Sequence, residues 1–122
     1  MKNLIYIQVH EGHFKIRTFQ KTRDRTITCS GLSHPRTLAG IFSDVQASFK
    51  TAINQEPKVL LGLIKPKMLV HLVPEMKGGY TELELRFFRE AALGAGSSAT
   101  YMLTNEYGPL SDAEISIIAK KL

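Results

Sequence analysis

Disulfides, tryptophan and long apolar runs are nearly absent from this chain of 122 residues, which holds one cysteine, no tryptophan and five prolines. An intrachain bridge needs two thiols, so the single Cys29 excludes a disulfide scaffold, and a lone cysteine fits a reducing cytoplasm, the expected location. The first apolar run, residues 4–9, is broken by Gln8 and followed by His10 and Glu11. It is too short and too polar for a signal peptide or a membrane span, so no membrane insertion is expected. A large excess of one charge is also missing: 16 basic against 11 acidic residues leave +5, which permits an anionic partner without demanding one. What is present, 43% hydrophobic and 22% charged residues, is the composition of a folded protein. The length suits one domain over residues 1–122, large enough to hide roughly two-thirds of its unfolded surface without a disulfide or metal staple.

Residues 4–10 and 13–19 are β-rich and separated by Glu11-Gly12, a two-residue link suited to a tight hairpin. A third strand, residues 25–29, follows the polar turn at 21–24. Pro35 at a first helical position, and Leu38, Ile41, Phe42, Val45, Phe49 and Ile53 at three- and four-residue steps, predict a helix over 35–54. Residues 68–73 read as a strand apolar on both faces except at His71, which suits a central position covered on both sides. Gly78-Gly79 turns into a second helix. Its start is marked by the Thr81-x-x-Glu84 capping box, with Leu83, Phe87, Ala91 and Gly94 on its expected inner face. Residues 99–104 form a further strand. A second capping box, Ser111 to Glu114, opens a last helix with Ile115, Ile118 and Leu122 inward.

The order β-β-β-α-β-α-β-α predicts an α/β fold: a five-stranded mixed sheet with three helices and the first strand near its middle. That order resembles the connectivity of the ribonuclease H-like fold, which also builds the halves of actin-like ATPases. The second strand alternates Phe14 and Ile16 with Lys15 and Arg17, so it belongs further out with one face wet.

Over residues 65–103 the chain resembles the first subdomain of the bacterial actin family MreB. Lys67-Met68-Leu69-Val70-His71-Leu72-Val73-Pro74 is similar to that family's strand ending in Val-Pro, and residues 79–96 follow its G-x-T-x-x-E-R-R-x-x-R-E-x-A-x-G-A-G helix, with Leu85 replacing an Arg. Across the whole chain, the opening Tyr6-Ile7-Gln8-Val9, the glycine pair before the second helix and the ending Leu110-Ser111-Asp112 resemble the YjaA-like family of small enterobacterial stress-response proteins. The resemblance implies a single actin-like subdomain and a role in oxidative or acid stress tolerance. An actin-like ATPase needs a D-x-G-T phosphate loop at the end of its first strand and a second half, which the residues given do not include. Here the loop reads Gln8-Val9-His10-Glu11-Gly12, with a neutral amide in place of the acid that would organise Mg²⁺. Glu84 matches the family's water-positioning glutamate, but its capping role needs no ligand and is the expected one.

Other chemistry is weighed on the same terms. A ribonuclease H-type nuclease holds two metal ions with three or four carboxylates, one of them where Gln8 stands. The other strand positions offer His71 and no Asp or Glu, and Asp44 lies in a helix. His10 and His13 form an H-x-x-H pair, with only Cys29 and His34 as remote further ligands, and two histidines on a turn are usually solvated. Cys29 reads as a buried structural thiol. Residues 94–99 fit G-x-G-x-x-A, but a dinucleotide fingerprint must follow a strand and open a helix, whereas here a helix ends. No catalytic, cofactor-binding or metal-ligating residue is therefore assigned.

Lys15, Arg17, Lys21, Arg23 and Arg25 place five basic residues within eleven positions, with Phe19 among them. They form a candidate cationic strip for an acidic protein or for phosphates, set against an ordinary edge hairpin guarded by charge. Residues 59–64 are nearly continuous apolar residues between Lys58 and Lys65. The default is closure of the core; if open, they are a partner surface and an invitation to self-association. The expectation is a non-enzymatic macromolecular binding module that contacts a protein partner through Lys15, Arg17, Arg23 and Arg25, with Leu60, Leu61 and Leu63 as a lesser surface. The alternative is a nucleic-acid binder using the 15–25 hairpin, and behind it a metal- or nucleotide-dependent phosphohydrolase.

Overall fold

The computed structural model describes residues 4–18, 24–34, 37–56, 61 and 63–122. Strands β1 (Leu4–His10), β2 (His13–Thr18) and β3 (Arg25–Thr28) form an antiparallel meander. Helix α1 (Phe42–Asn54) leads to β4 (Lys67–Leu72), α2 (Glu82–Gly94) to β5 (Ala99–Leu103), and α3 (Asp112–Lys121) closes the order. The sheet runs β3-β2-β1-β4-β5, with β4 parallel to β1 and β5 parallel to β4. The fold is therefore the expected α/β arrangement, with β1 at its centre.

The central place of β1 follows from its composition, because each side of the strand meets a separate core. Ile5, Ile7 and Val9 join Phe14, Ile16, Met68, Val70 and Leu72 beneath Val45, Phe49, Phe88 and Ala91 of α1 and α2. Leu4, Tyr6 and Leu69 pack on the other side against Ile115 and Ala119 of α3 and Leu110. Phe14 and Phe49, both fully buried, meet at 4.8 Å between ring centroids. Truncating either would cost about 3–5 kcal/mol. β2 has the expected alternation, Phe14, Ile16 and Thr18 buried and His13, Lys15 and Arg17 half-buried.

Three expectations are corrected. The first helix begins at Phe42 rather than 35. Pro35 and Arg36 lie outside the described residues, and Leu38 is buried but not helical. The reason is Gly40: its φ is +53°, and a Cβ there would sit 1.5 Å from the Gly31 carbonyl oxygen, so the chain crosses itself closely where a helix was expected. Ile41 then serves as the N-cap residue and is 55% exposed. Second, α2 turns Phe88, Ala91 and Ala92 inward, leaving Leu83 77% exposed and Gly94 on the surface. Burying Phe88 together with Ala91, Ala92 and Ala95 turns the inner face by roughly 90° at 3.6 residues per turn, away from Leu83. Third, the 59–64 run does not simply close the core. Leu61 and Leu63 are 96% and 82% exposed, and Val59, Leu60 and Gly62 lie outside the described residues.

Candidate functional site

Helix α3 covers only part of its side of the sheet. Beyond Tyr6 and Leu69, that side continues as a polar row fixed by strand register: Gln8 is paired with Lys15 on β2 and with His71 on β4, and His10 with His13. Gln8 is only 5% exposed. Its amide oxygen accepts a hydrogen bond from His10 Nε2 at 3.0 Å. His13 donates from Nδ1 to the Glu11 carbonyl at 3.1 Å. The two imidazoles stack with centroids 4.8 Å apart and planes within 1°.

This stacking bears on metal binding. A ring nitrogen binds a cation in the plane of its ring, and the planes of two parallel rings do not meet, so His10 and His13 as placed do not converge on one ion. Cys29 is buried in the core under α1 and α2, and His34 is exposed. Among the described residues, no three His, Cys, Asp or Glu side chains are grouped to hold a metal ion. Burial, then the nearby His13, Lys15 and His71, holds the His10 pKa below the usual imidazole value, so His10 itself carries little positive charge near neutrality.

His71 sits at the end of a hydrogen-bonded chain that local sequence patterns did not reveal. The fully buried Tyr6 hydroxyl donates to His71 Nδ1 at 2.7 Å and accepts from the Leu110 N–H at 3.0 Å. His71 Nε2 donates to the carbonyls of Tyr107 at 2.9 Å and Thr104 at 3.1 Å. Each polar atom has a partner only if the ring is neutral with its proton on Nε2. Burial lowers the His71 pKa, against the opposing pull of the Tyr107 and Thr104 carbonyls. The group therefore ties the segment before α3 to the sheet and uses both ring nitrogens in doing so.

The cationic strip is divided by the sheet. Lys15 and Arg17 belong to the α3 side, whereas Arg25 is paired with the buried Ile16 and faces α1. Arg25 forms an ion pair with Glu56 and donates to Gln55 Oε1 at 2.6 Å. Arg17 pairs with Asp24 at 2.7 Å and with Asp112, on α3, at 3.1 Å. Two of the four hairpin cations singled out from the sequence thus hold structure together, and Lys15 is without a carboxylate partner among the described residues. Arg23, Lys21 and Phe19 lie outside those residues, as does Leu60.

Glu84 is also occupied. Oε1 accepts from the Thr81 N–H at 3.0 Å, completing a capping box, and Oε2 accepts from the Thr37 hydroxyl at 2.7 Å. Burial raises its pKa, but these bonds outweigh burial and hold the carboxyl below its ordinary range. The G-x-G-x-x-A stretch spans the end of α2 and the start of β5, so no helix N-terminus faces it. Among the described residues no helix is long and apolar enough to cross a membrane. Of the exposed large apolar side chains among the described residues, the two most open are Leu61 and Leu63, ahead of β4 and followed by Ile64 at 46% exposure. Compared with known proteins, the chain matches no family model and no curated protein.

Proposed function

We propose that this protein is a non-enzymatic binding module, an actin-like subdomain of the ribonuclease H-like kind that contacts another protein in a cytoplasmic stress response. The observation that carries the reading is at the centre of β1. Phosphoryl or phosphodiester chemistry on this connectivity needs an acidic group there to organise a divalent ion. Gln8 instead presents a neutral amide, nearly buried, whose oxygen is engaged by His10. The other acid at issue, Glu84, caps α2 and binds Thr37. The stress role and the link to the MreB and YjaA-like families rest on the motif resemblance alone.

Exposed leucines favour a protein over a nucleic acid as partner. Leu61 and Leu63 present apolar side chains to solvent, while Arg17 and Arg25 have their charges matched within the fold. The test is cross-linked affinity capture from a stressed bacterial lysate with wild type and the Leu61→Asp/Leu63→Asp variant, beside oligonucleotide binding across a salt series. The module reading expects a protein retained by wild type and lost by the variant, with weak oligonucleotide binding. Tight oligonucleotide binding that falls steeply with salt and is lost on Lys15→Glu/Arg23→Glu would favour the nucleic-acid reading instead.

A further inference from the structure

The outward side of α2 carries a pattern that its packing does not use. Phe88, Ala91, Ala92 and Ala95 face the core. On the opposite side stand Leu83, Arg86, Glu90 and Leu93, all exposed, the two leucines at 77% and 40%. Their spacing of three, four and three residues confines them to one stripe, an arc of about 80° at 3.6 residues per turn. Neither Arg86 nor Glu90 enters an ion pair among the described residues.

The stripe has a twofold character. Leu83 and Leu93 lie five residues either side of Phe88, and Arg86 and Glu90 lie two either side. An antiparallel copy of the same helix, related by a twofold axis at Phe88, therefore sets leucine on leucine at both ends and arginine on glutamate twice in the middle. A parallel copy would set Arg86 on Arg86 and Glu90 on Glu90, opposing like charges, so charge alone selects the antiparallel arrangement. The margins fit this use. Phe87, beside the stripe, packs edge-on against Phe42 at 5.4 Å, and Phe42 and Ile41 are 40% and 55% exposed, which widens the apolar surface on one flank. On the other flank is an open cavity of about 340 Å³ lined by Glu82, Leu83, Leu85, Arg86 and Arg89, an indentation able to receive side chains of a facing helix.

We propose that α2 is a self-association surface on which a second copy of this chain packs antiparallel, Leu83 against the second copy's Leu93 and Arg86 against its Glu90. This surface is separate from the Leu61/Leu63 surface, and either can fail without the other. A contact centred on one 13-residue helix is small, so the dimer is concentration-dependent rather than obligate.

Sedimentation equilibrium of the whole chain over a range from about 5 µM to 1 mM, corresponding to binding free energies near those of weak complexes, reads the prediction directly. Wild type is expected to pass from monomer to dimer within that range. Arg86→Glu and Glu90→Arg should each weaken dimerisation at least about tenfold, a loss of ~1.4 kcal/mol, and the double exchange should restore it to within about threefold of wild type, because the pairs re-form with signs reversed. Leu83→Asp should abolish it. All four sites are exposed, so circular dichroism should show each variant folded; Leu93→Asp replaces Leu83→Asp if that one is not. A wild type monomeric throughout, or a double exchange no better than the singles, overturns the proposal.

Discussion

Tyr6 and His71 are 65 residues apart in sequence and share one buried hydrogen bond, so each depends on the other for satisfaction. Tyr6→Phe would remove the donor to His71 Nδ1 and the acceptor of the Leu110 N–H while keeping the ring's packing. Leaving such buried groups unsatisfied is expected to cost about 2–3 kcal/mol, read as a lower urea midpoint at pH 7. The same site sets a pH dependence. The folded-state pKa of His71 is lowered, so as pH falls below about 6.5 the unfolded chain takes up the proton first. The stability due to the neutral ring is therefore whole above that pH and is lost as pH falls toward the folded-state value. His10, also lowered, acts with the same sign. Unfolding free energy should decline from pH 7 to 5, and less steeply in His71→Gln; a flat profile would contradict the neutral-ring assignment. His71 stood out in the sequence as the one polar residue of an apolar strand. Tyr6 did not, because its partner is set by the parallel register of β1 and β4, which no local pattern encodes.

At the scale of elements, the strands and the two capping boxes were legible because their signals are local: alternation in β2, and Thr81–Glu84 and Ser111–Glu114 at fixed spacing. The start of α1 was not. An apolar periodicity continues back to Leu38, and Leu38 is indeed buried, but in a loop folded against the 3₁₀ turn Ser30–Leu32. The signal that ends the helix pattern is Gly40, inside the expected helix. Its backbone passes so near Gly31 that Gly40→Ala is expected to cost more than about 4 kcal/mol, visible as loss of cooperative thermal unfolding. A stable, cooperatively folded Gly40→Ala protein would mean that this crossing is absent. The face of α2 is likewise not legible in the sequence, since Leu83 is more hydrophobic than the alanines that lie in the core, yet it stays exposed. Burial of the Phe88 ring, together with Ala91 and Ala92, set which side of the helix turned inward.

For the whole molecule, the order of strands and helices was readable from sequence, and with it the α/β sheet centred on β1. The candidate site was readable only in part. The weight placed on Gln8 came from its position in β1, and the structure adds its burial and its bond to His10. The single cationic strip, by contrast, is not present in the fold, because Arg25 and Arg17 lie on opposite sides of the sheet with separate carboxylate partners. Charge clusters in sequence ignore the alternation of side chains across a strand and the acids that distant segments supply. The central claim, that the middle of β1 does no metal or nucleotide chemistry, is tested most directly by titrating the protein with Mg²⁺-ATP and with Mn²⁺ while following backbone amide signals of residues 8–13. The account predicts no saturable shift and no thermal stabilisation at any ligand concentration. Saturable shifts centred on Gln8 and His10, with a matching rise in melting temperature, would contradict it.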